Sequence, residues 1–253
     1  MEKNYKLLVK MAILAGELLL SSGAETCRVD DTMRRILNTS GLETIETLAV
    51  LTGIMVTLDD ESIETITYVK SVSEIGLNIN NIIVVNDISR KFCNQEITLE
   101  DAYTKLKTFK RKRYNTWLYS ISIIGVVIGF SMFFGGKFLD IVATGFTGVI
   151  LAVFLAFGKR FRINSFIHNI INGAGIALTA MGLHLFVQNI NTEIVIISSI
   201  MPLVPGVALT NGVRDVLEGD YISGSSRMLT AFLVAAGIAI GIGTGLMIFN
   251  WIR

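Results

Sequence analysis

Residues 196–211 read IISSIMPLVPGVALTN and hold both prolines of the 253-residue chain, Pro202 and Pro205. Each proline removes a backbone N–H group and clashes with the carbonyl group one turn earlier. With Gly206 directly behind them, they predict a break or a sharp bend in a membrane helix. Hydrocarbon cannot satisfy the freed carbonyl groups, so a break survives only against protein or a water-filled cavity. Broken helices form the substrate sites of many secondary transporters, and a simple packing kink is the alternative.

The chain is too apolar for a soluble protein of its size. Hydrophobic residues make up 51% of it, and the mean hydropathy is +0.59. Charge is concentrated in residues 1–114, which carry 15 of the 22 Lys+Arg and 16 of the 21 Asp+Glu. This uneven charge predicts a soluble domain over residues 1–114 and a membrane domain over residues 115–253. No signal peptide is evident at the start, and Cys27 and Cys93 are interpreted as free thiols.

The periodicity of residues 1–114 predicts a small α+β domain. Apolar residues recur with helical spacing over residues 5–21, and a second helix follows up to about Asn38. Alternating Ile, Val and Thr residues on both sides of Asp59–Ser62 predict a hairpin. A third helix is expected over residues 78–93, and Thr98 begins a fourth with a capping-box pattern.

Five apolar runs follow, each near the ~20 residues that a bilayer crossing requires. They are residues 117–134, 138–157, 166–187, 194–211 and 228–249. The predicted fold is therefore a small α+β cytoplasmic domain followed by an all-α membrane domain of five transmembrane helices. The fourth helix is broken at Pro-x-x-Pro-Gly. Basic residues lie mainly before the first run, after the second and after the fourth, so the N-terminus is expected in the cytoplasm and Arg253 outside.

Polar side chains inside membrane helices are costly, so each one is a functional candidate. Asp140 lies near the outer end of the second run, where an interfacial anchor is an equally good interpretation. His168 and Asn172 share one face of the third run, where they could bind a solute, relay a proton or make interhelical hydrogen bonds. The candidate substrate-binding residues are Asn172, Pro202, Pro205, Gly206, Thr210 and Asn211, and the candidate proton or ion relay residues are Asp140 and His168.

Glycines at four-residue spacing predict close helix packing in the last run and in the first. They are Gly237, Gly241 and Gly245, and Gly125 and Gly129. The sequence holds no P-loop, paired-carboxylate site, nucleophile elbow or zinc spacing, so we expect no cofactor, no metal and no enzymatic activity. A role in nucleic-acid binding is not expected either.

Three motifs resemble the threonine/serine exporter family of bacteria. Residues 23–33, GAETCRVDDTM, resemble the family signature Gly-x-Glu-x-x-Arg-Val-Glu-x-Thr, with Asp30 where many members have glutamate. Residues 78–90, NINNIIVVNDISR, look like its second soluble motif. The membrane part matches at residues 202–206 and at Asp215, Gly219, Asp220 and Gly224. The resemblance covers nearly the whole chain.

The resemblance implies a bacterial inner-membrane exporter of small polar carboxylates. Threonine and serine are the first expectation, with export driven by the proton gradient, and succinate is the alternative. Full-length members continue behind the fifth span, so this chain resembles the larger subunit of the split form, with a smaller four- or five-span membrane subunit as its partner. A non-transporting, membrane-anchored regulator or enzyme is the competing class.

The resemblance also suggests that the cytoplasmic motif is a gate or a docking site at the membrane entrance. The residues concerned are Gly23, Glu25, Arg28 and Asp30. Glu25 and Arg28 are three residues apart and can pair on one helix face, so a solvated, salt-bridged surface is the alternative. No histidine lies in residues 1–114 and no nucleophile–base pair is evident there, which leaves a hydrolase-like role without support.

Overall fold

The computed structural model of the chain describes residues 4–73, 76–109, 115–161 and 163–252. Helices hold 72% of these residues. The chain forms two compact units that do not follow its order. The first unit combines Met1–Lys112 with Thr210–Met228, and the second combines Arg113–Leu209 with Leu229–Arg253.

Helix α1 (Tyr5–Ser21) is the centre of the first unit. Its own apolar residues lie on almost every side of the helix, and Met11, Ala12, Ala15 and Leu20 are fully buried. A helix that is apolar on every side is stable only when it is enclosed by other elements. Helices α2 (Thr26–Asn38), α3 (Ile79–Cys93) and α4 (Leu99–Thr108) pack against it.

A three-stranded antiparallel sheet completes the core of the first unit. Its strands β1 (Thr44–Val50), β2 (Gly53–Asp60) and β3 (Ile63–Ser71) lie in chain order. The alternation of β2 turns Ile54, Val56 and Leu58 into the core. The predicted hairpin is present as β2 and β3.

Most of the second unit consists of apolar helices. These are α5 (Thr116–Phe133), α6 (Phe138–Phe161), α7 (Ser165–Phe186), α8 (Thr192–Ile200) and the part of α10 (Tyr221–Ile252) that begins at Leu229. Helix α6 packs against α5, α7 and α8. Many large apolar side chains of this unit are exposed, as expected of helices that face lipid.

The helix that contains both prolines is broken where the sequence predicts. After α8, residues Met201–Leu203 form one 3-10 turn, and α9 (Gly206–Leu217) begins directly behind Pro205. The segments on either side of the break meet at 58°. Val204 is extended (φ −63°, ψ 126°), because a following proline disfavours the helical conformation.

The predicted fold class, an N-terminal domain followed by five transmembrane helices, is wrong. Among the described residues, three helices are long and apolar enough to cross a membrane, and a fourth crossing exists only if the bent pair around the prolines is one span. The apolar helix Trp117–Phe133 has 17 residues. At the usual rise it is about 26 Å long, shorter than the ~30 Å hydrocarbon core.

The order of the two parts is also different from the prediction, because Thr210–Met228 belongs to the compact unit that holds the sheet. The predicted domain boundary falls on residues 110–114, which lie outside the described ranges. Arg162 and Arg253, which helped to predict the orientation, lie outside them too.

The glycine face of α10 packs against α7 of the same chain. A Cβ atom added at Gly237 would lie 3.1 Å from the Phe166 carbonyl oxygen, and one added at Gly245 would lie 2.8 Å from that of Ala174. A Cβ atom at Gly125 or Gly129 of α5 would meet none of the described residues within 4 Å. The glycines of the last run therefore serve contacts inside the second unit, and those of the first run do not.

Candidate functional site

The N-terminus of α2 contacts the C-terminal part of α9 and the beginning of α10, and all of these parts belong to the first unit. We call this region the junction. It consists of Gly23, Ala24, Glu25 and Thr26 on one side and Asn211, Arg214, Asp215, Asp220, Ser223 and Arg227 on the other. The side-chain amide of Asn211 donates to the Gly23 carbonyl oxygen at 3.3 Å, and Arg227 Nη2 donates to that of Ala24 at 2.9 Å.

The backbone geometry before α2 places Gly23 and Glu25 where they can contact α9. Gly23 adopts φ +82°, which glycine does without strain, and this ends the turn that follows α1. Glu25 is the N-cap residue of α2 in extended conformation, but its side chain makes no capping bond. The carboxylate instead pairs with Arg214 of α9 and lies 3.8 Å from Arg28 Nε.

A buried ion pair lies behind this surface. Asp215 has no exposed area and Arg227 is 5% exposed. Arg227 Nε lies 2.8 Å from Asp215 Oδ2, yet neither atom makes a hydrogen bond with any described residue, so the contact is close but its N–H is poorly aimed. Apolar residues of similar volume often replace a buried ion pair without loss of stability, so the contact by itself is weak evidence that it stabilises the fold.

Asp220 begins α10 as its capping residue. Its Oδ1 accepts the backbone N–H of Ser223 at 3.0 Å, and the Ser223 hydroxyl in turn accepts the N–H of Leu51 at 3.2 Å. Burial by itself would raise the pKa of Asp220, but hydrogen bonds from Ser223 and Thr26 hold it below its usual value. Asp220 is therefore ionised at neutral pH.

The Cys27 thiol is not a reactive group. Burial, together with a hydrogen bond to Glu218, raises its pKa to about 12. A thiol reacts through its thiolate form, so Cys27 is protonated and inert at neutral pH. Burial also raises the pKa of Cys93. No group of three or more His, Cys, Asp or Glu residues in the described ranges could hold a metal ion.

The remaining residues of the cytoplasmic motif lie on the surface of α2. The Arg28 side chain is 67% exposed, and Asp30 lies 3.8 Å from Arg34 on the same helix. Asp30 Oδ1 is buried and makes no hydrogen bond within the described part of the chain. Of the four predicted motif residues, Gly23 and Glu25 contact α9, whereas Arg28 and Asp30 pair within α2.

The second unit contains a set of buried polar side chains on α6, α7 and α8. They are Thr144, Thr147, Asn169, Asn172, Ser198 and Ser199. Thr147 and Ser199 are joined by a hydrogen bond of 2.7 Å between their hydroxyl groups. The amide nitrogen and oxygen of Asn172 and the hydroxyl of Ser198 have no protein partner among the described residues. Because an unmatched buried polar group is costly, both side chains are sites where a solute or water is expected.

The predicted relay residues are engaged in hydrogen bonds. Asp140 accepts the backbone N–H of Asn191 at 2.7 Å and that of Lys137 at 2.8 Å, one with each oxygen. His168 Nε2 lies 3.0 Å from the Phe154 carbonyl oxygen. These contacts correspond to the anchoring and interhelical alternatives, and a relay role for either side chain stays a prediction.

The predicted substrate-binding residues are divided between the units. Asn172, Pro202, Pro205 and Gly206 belong to the second unit, and Thr210 and Asn211 belong to the first. The structure adds residues that sequence reasoning missed, namely Thr26, Thr147, Ser198 and Ser199. Ser198 and Ser199 lie in the stretch that carries the prolines, so their position was a usable signal. No local pattern connects Thr26 with Asp215, which is 189 residues away.

Known proteins are similar to this chain over most of its length. A family described as "Putative threonine/serine exporter" matches residues 10–249. The chain is similar to the "Probable threonine/serine exporter" of Mycobacterium tuberculosis, with 23% identity over 236 residues. That match covers 92% of this chain but 44% of the relative, so the chain spans less than half of that protein.

The chain is also similar to two proteins of its own length, each named "Probable succinate transporter subunit YjjP". The one from Klebsiella aerogenes is 24% identical over 250 residues, which is 95% of this chain and 93% of the relative. The one from Escherichia coli is 22% identical over 257 residues, which is 98% of this chain and 97% of the relative. No solved structure matches the chain.

Proposed function

The chain belongs to the threonine/serine exporter family, and we propose that it is a subunit of a proton-driven exporter of threonine and serine. The proposal starts from the finding that the chain is a multi-pass membrane protein of an exporter family. The observation that carries the choice of substrate is the pair of buried, unpartnered side chains Asn172 and Ser198. The proposal assigns no enzymatic activity to the chain.

An amino acid matches these groups chemically. The carboxamide of Asn172 offers two N–H donors and one carbonyl acceptor, and the hydroxyl of Ser198 can donate or accept. A zwitterion needs donors for its carboxylate and acceptors for its ammonium group. Helices α7 and α8, which carry the two residues, pack against each other. Neutral groups of both kinds therefore favour threonine or serine over a dianion, which requires a second positive partner.

Succinate is the second candidate substrate. It is favoured by the two relatives of nearly equal length that are named as succinate transporter subunits. The same relatives support the proposal that this chain works together with another subunit. We propose that this partner is a smaller, four- or five-span membrane protein and that it packs on α5, where the positions of Gly125 and Gly129 are open.

We place the protein in the bacterial inner membrane with its N-terminus in the cytoplasm. The basic residues that precede α5, including Lys105 and Lys107, support this orientation. An odd number of crossings would put the C-terminus outside, as the sequence predicts, and an even number would put it inside. A topology reporter fused behind residue 252 distinguishes the two.

The substrate is tested by efflux from cells that lack their own threonine export and produce the chain with its partner subunit. We expect these cells to excrete threonine and serine faster than cells that produce either subunit alone. Ser198→Ala should raise the internal threonine concentration needed for half-maximal efflux, because a substrate contact is lost.

Ser199→Ala is the matched control. It removes the hydrogen bond to Thr147, worth about 0.6 kcal/mol between membrane helices, and no predicted substrate contact. It should lower the melting temperature slightly and leave the half-maximal concentration unchanged. Faster excretion of succinate alone would select the second candidate. No excess efflux of any of the three compounds would refute the exporter proposal.

A further inference from the structure

We propose that Thr26, Asp215 and Asp220 form a proton-binding site in the first unit, in which Asp215 takes up the proton and Arg227 responds to its charge. The inference rests on the proposed proton-driven export, and it gives that proton a place in the molecule.

One hydroxyl group lies within hydrogen-bonding distance of two carboxyl groups. Thr26 Oγ1 is 2.8 Å from Asp220 Oδ2 and 3.2 Å from Asp215 Oδ1. A threonine hydroxyl has one proton to donate and two lone pairs that accept. It can therefore donate to only one of two ionised carboxylates at a time. The second carboxyl group needs a proton of its own to make a hydrogen bond with the same oxygen.

The surroundings decide which carboxyl group is protonated. Asp220 is held ionised by the N–H and hydroxyl groups described above, and it makes the shorter contact with Thr26. Asp215 has no exposed area, and the nearby Arg227 Nε–H makes no hydrogen bond with its Oδ2. A buried carboxylate is expensive to ionise when it lacks such a bond. In a chain in which protonated Asp215 donates to Thr26 and the Thr26 hydroxyl donates to Asp220, all three side chains have a hydrogen-bond partner.

In the second state of the site Asp215 is ionised, and Arg227 is the group that responds to its charge. Its Nη2 donates to the Ala24 carbonyl oxygen, and its Nε lies 2.8 Å from Asp215 Oδ2 without a hydrogen bond. When Asp215 loses its proton to water, the O–H bond breaks and the carboxylate gains a negative charge. A small rotation of the guanidinium group would then aim Nε–H at Oδ2. Proton uptake reverses the step and releases Arg227.

The other charged side chains of the junction have partners of their own, so Arg227 is the one that responds to proton loss and uptake by Asp215. Glu25 pairs with Arg214, and Glu218 forms a hydrogen bond with the Cys27 thiol. Arg227 also holds the backbone of the signature motif at Ala24, beside the Asn211 bond to Gly23. The protonation state of Asp215 is thereby linked to the segment that follows the broken helix.

The test uses inverted membrane vesicles from cells that produce the chain with its partner subunit. Labelled threonine is the probe. An imposed pH gradient, acid inside, measures proton-driven accumulation, and exchange of labelled for unlabelled threonine at equal pH measures movement of the substrate alone. Asp215→Asn keeps the shape of the side chain but cannot release a proton as an acid does. Thr26→Val removes the hydroxyl, and Thr26→Ser keeps it.

We expect Asp215→Asn to reduce gradient-driven accumulation to the level without a gradient while exchange stays within about twofold of the wild type. Thr26→Val should lose accumulation in the same way, and Thr26→Ser should retain it. Wild-type accumulation by Asp215→Asn would overturn the inference. Equal loss of accumulation and exchange in a folded Asp215→Asn protein would also overturn it, because that is the result of a structural role.

If Asp215→Asn fails to fold, the comparison of Thr26→Val with Thr26→Ser tests the inference. Equal threonine accumulation by these two variants would overturn it. A wild type without threonine exchange would count against the proposed function instead. The proton site then has a readout that does not need transport, the melting temperature of the purified protein between about pH 5 and pH 8. The difference between wild type and Asp215→Asn should vary with pH, and a constant difference would overturn the site.

Discussion

At the scale of single residues, Glu25 has the most informative contacts of the cytoplasmic motif. Its carboxylate is 15% exposed and joins Arg214 of α9, which is not its neighbour in sequence, as well as Arg28 on its own helix. We predict that Glu25→Gln slows threonine efflux several-fold while the protein remains folded and inserted, because the amide has no charge to hold Arg214. Efflux normalised to inserted protein measures this.

Asp31→Asn is the matched control for Glu25→Gln. Asp31 pairs with Arg35 on the same helix, and both side chains are more than half exposed. Exposed pairs of this kind contribute about 0–1 kcal/mol, so neither stability nor efflux should change measurably. If Glu25→Gln behaves like Asp31→Asn, the motif is a solvated surface and the gate is refuted.

At the scale of elements, the two prolines of the broken helix have different positions. Pro202 lies inside the 3-10 turn, where a proline is tolerated, whereas Pro205 keeps Val204 extended and directly precedes α9. We predict that Pro205→Ala reduces the rate of efflux more than Pro202→Ala does, and that the double variant reduces it most. Neither proline lies in a helix interior, so each replacement by alanine should lower the free energy of unfolding by about 1 kcal/mol or less, and the variants should still fold.

The measurement is efflux against melting temperature for all three proline variants. Unchanged efflux in the double variant would make the break a packing kink. Lower melting temperatures in proportion to lost efflux would also contradict the prediction, because they would indicate a structural role for the break.

At the scale of the whole molecule, the open side of α5 is where we expect the partner. We predict that Gly125→Leu abolishes co-purification of the two subunits, since close approach of helices needs a small residue. Gly182→Leu on α7 is the control, because a Cβ atom there also meets none of the described residues within 4 Å. Co-purification is measured from detergent extracts of cells that produce both chains.

Equal retention of the partner by both leucine variants would place the subunit contact elsewhere. Gly241→Leu is a separate case, because an added Cβ atom at Gly241 would meet the Ile170 carbonyl oxygen of α7. That variant should disturb the second unit itself, so its failure to bind a partner would carry no information on the interface.

The sequence by itself determined the local features of this protein. Helical spacing predicted α1, alternation predicted the hairpin of β2 and β3, and the proline pair predicted the break before Gly206. These features depend on short-range sterics and periodicity, which a linear sequence contains in full. The signature at residues 23–33 also led to the family, which the match over residues 10–249 confirmed.

Only the tertiary structure decided which distant residues form a site. Thr26 meets Asp215 and Asp220 because the segment Thr210–Met228 folds into the unit that holds the sheet, and no sequence spacing encodes a contact across 189 residues. The number of spans was misjudged for a different reason. The apolar run 117–134 forms a helix of nearly the same bounds, Thr116–Phe133, but this helix is shorter than the hydrocarbon core. The fourth run is divided at the turn that holds Pro202.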